Sequence, residues 1–169
     1  MRLKSWNYTW AWWYSVTICT HDRQCLFGEV RGDRVVLNQL GRIVEEEWLR
    51  TARVRPEVEL DSYVIMPNHL HGIIALPHQD RPKVVGATRR VAPTRTLQAD
   101  SLGSIIGQIK SVITRRATGG GSWCAGPIWQ RSFYDHVIRN DSDLHRIRTY
   151  IRYNPLQWAF DEENPDRKR

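Results

Sequence analysis

Apolar and polar positions along this chain separate predicted strands from predicted helices. Residues 13–20 are rich in β-branched and aromatic side chains, and residues 57–66 alternate or run apolar, which indicates β-strands. Residues 39–53 and 101–118 repeat apolar side chains at intervals of three and four, which indicates amphipathic helices. Asn38 precedes the first of these helices and is predicted to cap it.

Turn residues predict two hairpins. Gly32 supplies the backbone freedom of a tight turn, so residues 25–30 and 34–37 are expected to pair. Residues 67–68, Pro-Asn, predict a second turn, and the apolar strand after them should pair with residues 57–66.

The last third of the chain predicts one more strand and one more helix. The latter half of residues 128–139 is typical of a strand. Asn140 or Asp141 can cap a helix that is expected to run to about Asn154, because Pro155 follows there.

The order strand, helix, two strands, helix, strand predicts an α+β fold of the split β-α-β type. We expect an antiparallel sheet with two helices on one face and the strand after Pro67 at its centre. The final helix is then free to lie across the other face of the sheet.

Length and composition indicate one domain whose basic charge fits either a polyanionic partner or a surface that is simply basic and solvated. The chain has 169 residues, 41% of them hydrophobic, and a formal net charge of +7. Its three cysteines form no CxxC pair, so a structural zinc site is not expected. No apolar run reaches the roughly 18 residues of a membrane span, and the N-terminus does not resemble a signal peptide, so we expect a cytoplasmic protein without a membrane partner.

Composition also divides the chain into segments. Residues 1–12 form a predicted aromatic N-terminal arm, which could stack on bases or cap the edge of the core. Residues 13–158 form the domain. Within it, residues 77–100 lack a hydrophobic period and predict a basic, mobile loop, either a DNA contact or a tolerated insertion. Residues 159–169 form the predicted C-terminal tail, and its part from Asp161 to Arg169 mixes both charges without apolar anchors and is expected to be mobile.

Two pairs of side chains carry candidate chemistry. His69 and His71 alternate with Leu70 on a predicted strand, so both imidazoles project from one face, about 7 Å apart. Tyr150 and Asn154 lie four residues apart on the inward face of the final helix. If that helix crosses the free face of the sheet, two imidazoles and an amide oxygen could hold a metal beside a phenol.

Three motifs together resemble one family. Residues 63–74 (YVIMPNHLHGII), 128–140 (IWQRSFYDHVIRN) and 150–155 (YIRYNP) are similar to the single-domain HUH transposases of the IS200-like superfamily, specifically the REP-associated tyrosine transposases. The resemblance implies a ferredoxin-like domain that cleaves and rejoins single-stranded DNA, often at a hairpin, and a nucleoid-associated location. It also implies a 5′-phosphotyrosine intermediate and a divalent metal, Mg²⁺ or Mn²⁺.

The resemblance implies roles for individual residues. Tyr150 matches the nucleophile, and His69, His71 and Asn154 match the metal ligands. Tyr134 competes with Tyr150 for the role of nucleophile, because it lies near His136 on a strand predicted to adjoin the site. Candidates for DNA contact are Tyr134, His136, Arg131, Lys110, Arg115, Arg116, Arg89 and Arg90.

Other functions fit parts of the same pattern. A non-catalytic nucleic-acid-binding domain would explain the charge and the sheet, although the chain has no RNP-like aromatic motif. A metallohydrolase is disfavoured because the sequence shows no carboxylate cluster of the kind that two-metal sites use. The sequence is compatible with both a monomer and a homodimer.

Overall fold

The computed structural model describes residues 12–76, 101–121, 123 and 126–167. The predicted loop 77–100, with Arg89 and Arg90, and all of the predicted arm except Trp12 lie outside the described residues. Six strands and three α-helices are present there: β1 (Trp12–Cys19), β2 (Gly28–Arg31), β3 (Arg34–Leu37), α1 (Gln39–Val54), β4 (Glu59–Ile65), β5 (His69–Leu76), α2 (Leu102–Gly119), β6 (Tyr134–Ile138) and α3 (Asp141–Gln157).

The main sheet has four strands in the order β4-β5-β1-β6, and every neighbouring pair is antiparallel. The predicted split β-α-β order is confirmed, and β5 lies inside the sheet as expected. Strands β2 and β3 form a separate hairpin that turns at Gly32, whose φ of 67° suits glycine. None of the described helices combines the length and apolar content needed to cross a bilayer.

Helices cover both faces of the sheet. Even-numbered side chains of β1 and β5, such as Val16 and Ile74, belong to the main core with the apolar faces of α1 and α2. Ile73 points to the opposite face, where it packs with Ile147 and Ile151 of α3. Because both faces are covered, all residues of β5 are buried, and its apolar run lacks polar alternation.

Side-chain caps fix where the helices begin. Asn38 Oδ1 accepts a hydrogen bond from Gly41 N at 2.9 Å, as predicted for α1. Asn140 Oδ1 accepts one from Asp143 N at 2.8 Å, which starts α3 at Asp141.

Helix α3 is longer than its sequence predicts. The sequence places Pro155 after the end of the helix, but α3 continues through it to Gln157. Proline removes one backbone donor, and in the last turn this costs a single hydrogen bond. The Trp158 N–H then donates to the Pro155 carbonyl, so the chain tightens into a short 3-10 helix, Trp158–Phe160.

The sequence predicts a mobile tail from Asp161 because that stretch has no apolar anchors, but polar contacts hold the segment directly after that 3-10 helix. Asp161 and Asn164 are buried. Glu163 forms an ion pair with Arg23 at 3.1 Å, and its carbonyl accepts a hydrogen bond from Asn68 at 2.6 Å. The anchors are polar, so a search for apolar side chains does not find them. Residues 158–164 therefore fold back over the end of β5, and we call them the return segment.

Candidate active site

The two histidines lie side by side on the face of the sheet that α3 covers. His69 and His71 belong to β5, and their ring centroids are 4.4 Å apart. The relative exposures of 0% and 7% place both imidazoles in the interior. This face is otherwise apolar around Ile73 and Ile147, so two buried imidazoles need specific partners.

A hydrogen-bond chain sets the tautomer of His69. Its Nδ1 lies 2.8 Å from Asn68 Oδ1. The Asn68 amide is oriented because its Nδ2 donates to the carbonyls of Arg23 and Glu163, at 2.9 and 2.6 Å. Asn68 Oδ1 can only accept, so the proton of His69 is on Nδ1 and the lone pair is on Nε2. Among the described residues, that Nε2 is buried and has no hydrogen-bond partner.

His71 joins the sheet to α3. Its Nδ1 lies 2.8 Å from Oγ1 of Thr17, the residue directly opposite on β1. Its Nε2 lies 3.3 Å from the Tyr150 hydroxyl, with the two rings edge to face at 5.2 Å. The phenol of the predicted nucleophile is therefore held against one of the predicted metal ligands.

Both imidazoles are neutral at physiological pH. Burial, reinforced by the neighbouring His71 and Arg23, holds the pKa of His69 well below its usual range. Burial also lowers the pKa of His71 to about 4, although the Asp161 carboxylate opposes the shift. Neutral imidazole is the form that binds a metal ion.

Helix α3 and the return segment bring further oxygens to the histidines. Asn154 is 1% exposed and its Nδ2 donates to Asp161 Oδ2 at 3.0 Å, whereas its Oδ1 is buried and has no partner in the described part of the chain. Three potential ligand atoms lie within 4.8 Å of one another, one from each of His69, His71 and Asp161. His69 Nε2 and Asn154 Oδ1 are thus two buried acceptors without a partner in the described residues, and together with the Asp161 carboxylate they suit a divalent cation.

Tyr150 is half exposed and opens onto a cleft of about 850 Å³. Burial raises the pKa of its phenol to about 12, and the negative charges of Asp161, Glu162 and Glu163 add to the shift, while a hydrogen bond from Asn154 opposes it. The phenol is thus protonated at neutral pH in the metal-free protein.

Tyr134 faces the same cleft from β6. It lies directly opposite Thr17, which in turn lies opposite His71, so three strands contribute one row of side chains. Tyr134 is 50% exposed, and within the described structure its hydroxyl makes no hydrogen bond to a histidine. The contact with His71 therefore distinguishes Tyr150 from its competitor.

Arg23 and the acidic residues of the return segment were not found from the sequence. Arg23 lines the cleft from the loop after β1, where Asp22 and Arg23 have φ values of 51° and 55°, unusual for residues other than glycine. Its guanidinium pairs with Glu163 and donates to the Glu162 carbonyl at 2.9 Å. The sequence shows no carboxylate cluster near the histidines, but chain folding brings Asp161, Glu162 and Glu163 into the same cleft.

Three of the predicted DNA-contacting residues lie away from the histidine pair. Lys110, Arg115 and Arg116 belong to α2, which packs on the other face of the sheet. The Lys110 ammonium donates to the carbonyls of Gln130 and Ser132, both at 2.8 Å. Arg116 pairs with Glu46 and Glu47 of α1 at 2.7 and 2.6 Å.

Two further candidates for DNA contact lie on either side of Tyr134 in the sequence. Arg131 is exposed in the loop before β6. His136 lies on β6, with its Nε2 2.7 Å from Asp143 Oδ2 of α3. Their predicted contact with DNA stays a prediction.

Similar sequences occur in two bacterial species, Haemophilus influenzae and Escherichia coli. No protein-family model matches the chain. It is 34% identical over 170 residues to an uncharacterized protein of Haemophilus influenzae, covering 96% of this chain and 90% of that protein. It is 28% identical over 118 residues to a REP-associated tyrosine transposase of Escherichia coli, covering 70% of this chain. The match spans 56% of the Escherichia coli protein's length.

The fold is also found in a solved structure. A REP-associated tyrosine transposase bound to a REP hairpin superposes with a TM-score of 0.61 and 24% sequence identity. The superposition covers 93% of this chain and 74% of that one. The α+β fold with a four-stranded antiparallel sheet is shared between them.

Proposed function

We propose that this chain, which is similar in sequence to a REP-associated tyrosine transposase and shares the fold of another, cleaves and rejoins single-stranded DNA with Tyr150 as the nucleophile. The observation that carries this proposal is the contact of the Tyr150 hydroxyl with His71 Nε2, at 3.3 Å, beside the orphaned acceptor of His69. A phenol at the edge of an open cleft and next to neutral imidazoles is positioned to attack a phosphodiester.

The proposed reaction exchanges one phosphodiester for another. The Tyr150 oxygen attacks phosphorus in line and forms a P–O bond, while the bond from phosphorus to the 3′ oxygen breaks. The phenol releases its proton to solvent, the 3′ oxygen takes up one proton and leaves as a hydroxyl, and the 5′ phosphate stays on Tyr150. Attack by a 3′ hydroxyl on the phosphotyrosine then restores the phenol and a DNA phosphodiester. Bond energy is conserved, so no nucleotide cofactor is required.

We propose that His69, His71 and Asn154 hold a divalent metal. Asn68 presents the free Nε2 of His69. Asn154 Nδ2 is engaged by Asp161, so its Oδ1 is the atom available for binding. Histidine ligands suit Mn²⁺, and Mg²⁺ is the other candidate. When bound, the ion supplies positive charge that polarises the scissile phosphate and favours the phenolate.

The protein's own residues orient the phenol and admit the substrate. Tyr150 follows Ile147 by one turn of α3, and Ile147 packs on Ile73, so the helix fixes the height of the phenol above the sheet. The ring leans edge to face on His71, which limits its rotation. The cleft of about 850 Å³ leaves room for a nucleotide in front of the hydroxyl.

Hairpin DNA is the proposed partner. The similar solved transposase is bound to a REP hairpin. The formal net charge of +7 favours binding to a polyanion. Arg131 is exposed at the start of the segment leading to β6 and is a candidate for contact with the DNA backbone.

The test is formation of a covalent adduct with single-stranded oligonucleotides, with and without a hairpin, in Mn²⁺ or Mg²⁺. We expect a metal-dependent adduct on a denaturing gel for the wild type and none for Tyr150→Phe. Tyr153→Phe is the matched control, because Tyr153 lies on the same helix with the same 46% exposure but outside the cleft.

Two outcomes would change the proposal. An adduct that survives in Tyr150→Phe and disappears in Tyr134→Phe would move the nucleophile to β6. Tight, salt-sensitive binding with no adduct on any substrate would favour the non-catalytic nucleic-acid-binding domain.

A further inference from the structure

Asp161 stands closest among the carboxylates of the return segment to the histidine pair. One of its oxygens lies within 4.8 Å of a ring nitrogen of both His69 and His71. We propose that Asp161 is a protein ligand of the active-site metal, so that the ion binds the return segment as well as the sheet and α3. This rests on the proposed function only for the presence of a divalent ion at the histidines.

The surroundings of Asp161 leave it able to bind an ion. The carboxylate is 8% exposed. Oδ2 accepts a hydrogen bond from Asn154 at 3.0 Å, and Oδ1 accepts one from the Glu163 backbone at 2.7 Å. These donors orient the group without neutralising its charge, and within the described structure no ion pair joins Asp161 to Lys or Arg. A buried, unpaired carboxylate is costly unless a cation is present.

Unpartnered atoms next to Asp161 point to the same ion. His69 Nε2 is a fully buried acceptor without a partner in the described residues, and so is Asn154 Oδ1. Asn154 connects these unpartnered atoms to the carboxylate. Its Nδ2 donates to Asp161, while the Oδ1 of the same amide has no partner in the described residues. Imidazole nitrogens together with carboxylate and amide oxygens form a donor set suited to Mn²⁺.

If Asp161 binds the metal, the return segment becomes part of the metal site. The segment is already joined to the histidine strand through Asn68, whose amide contacts both His69 and the Glu163 carbonyl. It is also joined to the loop after β1 by the Arg23–Glu163 ion pair. Removing Asp161 as a ligand should therefore weaken metal binding without changing either histidine.

The experiment is a Mn²⁺ titration of the full-length, DNA-free protein by calorimetry. We expect Asp161→Asn to bind Mn²⁺ at least about tenfold more weakly than the wild type, because even outer-shell changes cost about that much. Glu162→Gln removes the same charge from the same cleft and should weaken binding far less. His69→Ala should abolish binding at this site.

A spectroscopic measurement separates a ligand from a structural residue. With saturating Co²⁺, Asp161→Asn should shift the visible ligand-field bands, whereas Glu162→Gln should leave them unchanged. The bands report the ion's own ligands, so they decide the role of Asp161 even if the variant is less stable.

The outcomes distinguish this inference from the proposed function. Equal Mn²⁺ affinity and an unchanged Co²⁺ spectrum in Asp161→Asn, with loss of binding in His69→Ala, would overturn the role of Asp161 and leave the histidine site intact. Weakened binding in Asp161→Asn, combined with no DNA adduct in the wild type, would support the ligand and count against the transposase chemistry. No Mn²⁺ binding by the wild type would overturn the inference together with the metal-dependent mechanism.

Discussion

Asn68 connects three parts of the site through one side chain. Its Oδ1 accepts from His69 Nδ1, and its Nδ2 donates to the carbonyls of Arg23 and Glu163. The residue is 1% exposed, so water does not compete for these bonds. Partners of this kind orient a metal-binding histidine and keep its proton on the remote nitrogen. Asn68 is thus a positioning residue for His69.

We predict that Asn68→Ala weakens Mn²⁺ binding by about 10- to 100-fold, the usual cost of losing such a partner. The His69 ring loses its fixed tautomer and two carbonyls lose a donor, so stability should also fall by about 1–3 kcal/mol. Calorimetric titration measures the first effect and urea unfolding without metal measures the second. Unchanged metal affinity alongside reduced stability would assign Asn68 a purely structural role.

Strand β5 places the histidines only if α1 can approach it closely. A Cβ built on Gly72 would lie 2.3 Å from Cζ2 of Trp48, an α1 residue that is fully buried. The indole has no free space to move into, so glycine is required beside His71. The contact holds β5 on α1 and thereby fixes the height of the histidine face opposite.

We predict that Gly72→Ala destabilises the fold by about 1–3 kcal/mol, the usual cost of overpacking a core. Adding Trp48→Phe in the same chain should recover part of that loss, because a smaller ring vacates the space. Urea unfolding measures both effects.

Gly107→Ala, in helix α2, is the matched control for Gly72→Ala. No atom lies within 4 Å of a Cβ built there, on the exposed side of α2. This change should leave the fold as stable or up to about 1 kcal/mol more stable, because alanine favours a helix. A Gly72→Ala protein as stable as wild type would mean that Trp48 has room to move.

Sequence periodicity predicts strands and helices well, but it does not predict where the chain folds back after a helix. The sheet, α1 and α2 could be predicted because each repeats its apolar residues at its own period. Tyr150 and Asn154 were matched to the histidines because four residues make one helical turn. Asp161 could not be found this way, since its position depends on the 3-10 turn after α3 and on polar anchors that have no period.

Lys110 shows that a sequence does not reveal which group a charged side chain contacts. The sequence predicts that Lys110 contacts DNA, yet the structure directs its ammonium to two backbone carbonyls. Burial lowers the pKa of Lys110 to about 8, which reflects how far the group has left solvent. Whether a lysine meets phosphate or a carbonyl depends on tertiary contacts that a single sequence does not display.

The cleft in front of Tyr150 differs in charge from the chain as a whole. The chain carries a net charge of +7, but Asp161, Glu162 and Glu163 line the cleft in front of Tyr150. Carboxylates repel phosphate, so a DNA strand enters the cleft more easily when a divalent cation offsets them. Basic side chains outside the cleft attract DNA with or without that cation. Binding of a hairpin and cleavage of a strand should therefore depend differently on metal.

We predict that chelation with EDTA abolishes adduct formation but changes affinity for a hairpin oligonucleotide by less than about tenfold, because outer contacts to phosphate dominate that affinity. Fluorescence anisotropy measures binding in EDTA and in Mn²⁺, and a denaturing gel follows the adduct in the same samples. Raising the salt concentration should weaken binding steeply under both conditions, since Lys and Arg release counterions from DNA. Hairpin binding lost on chelation as completely as cleavage would place the hairpin contacts inside the acidic cleft.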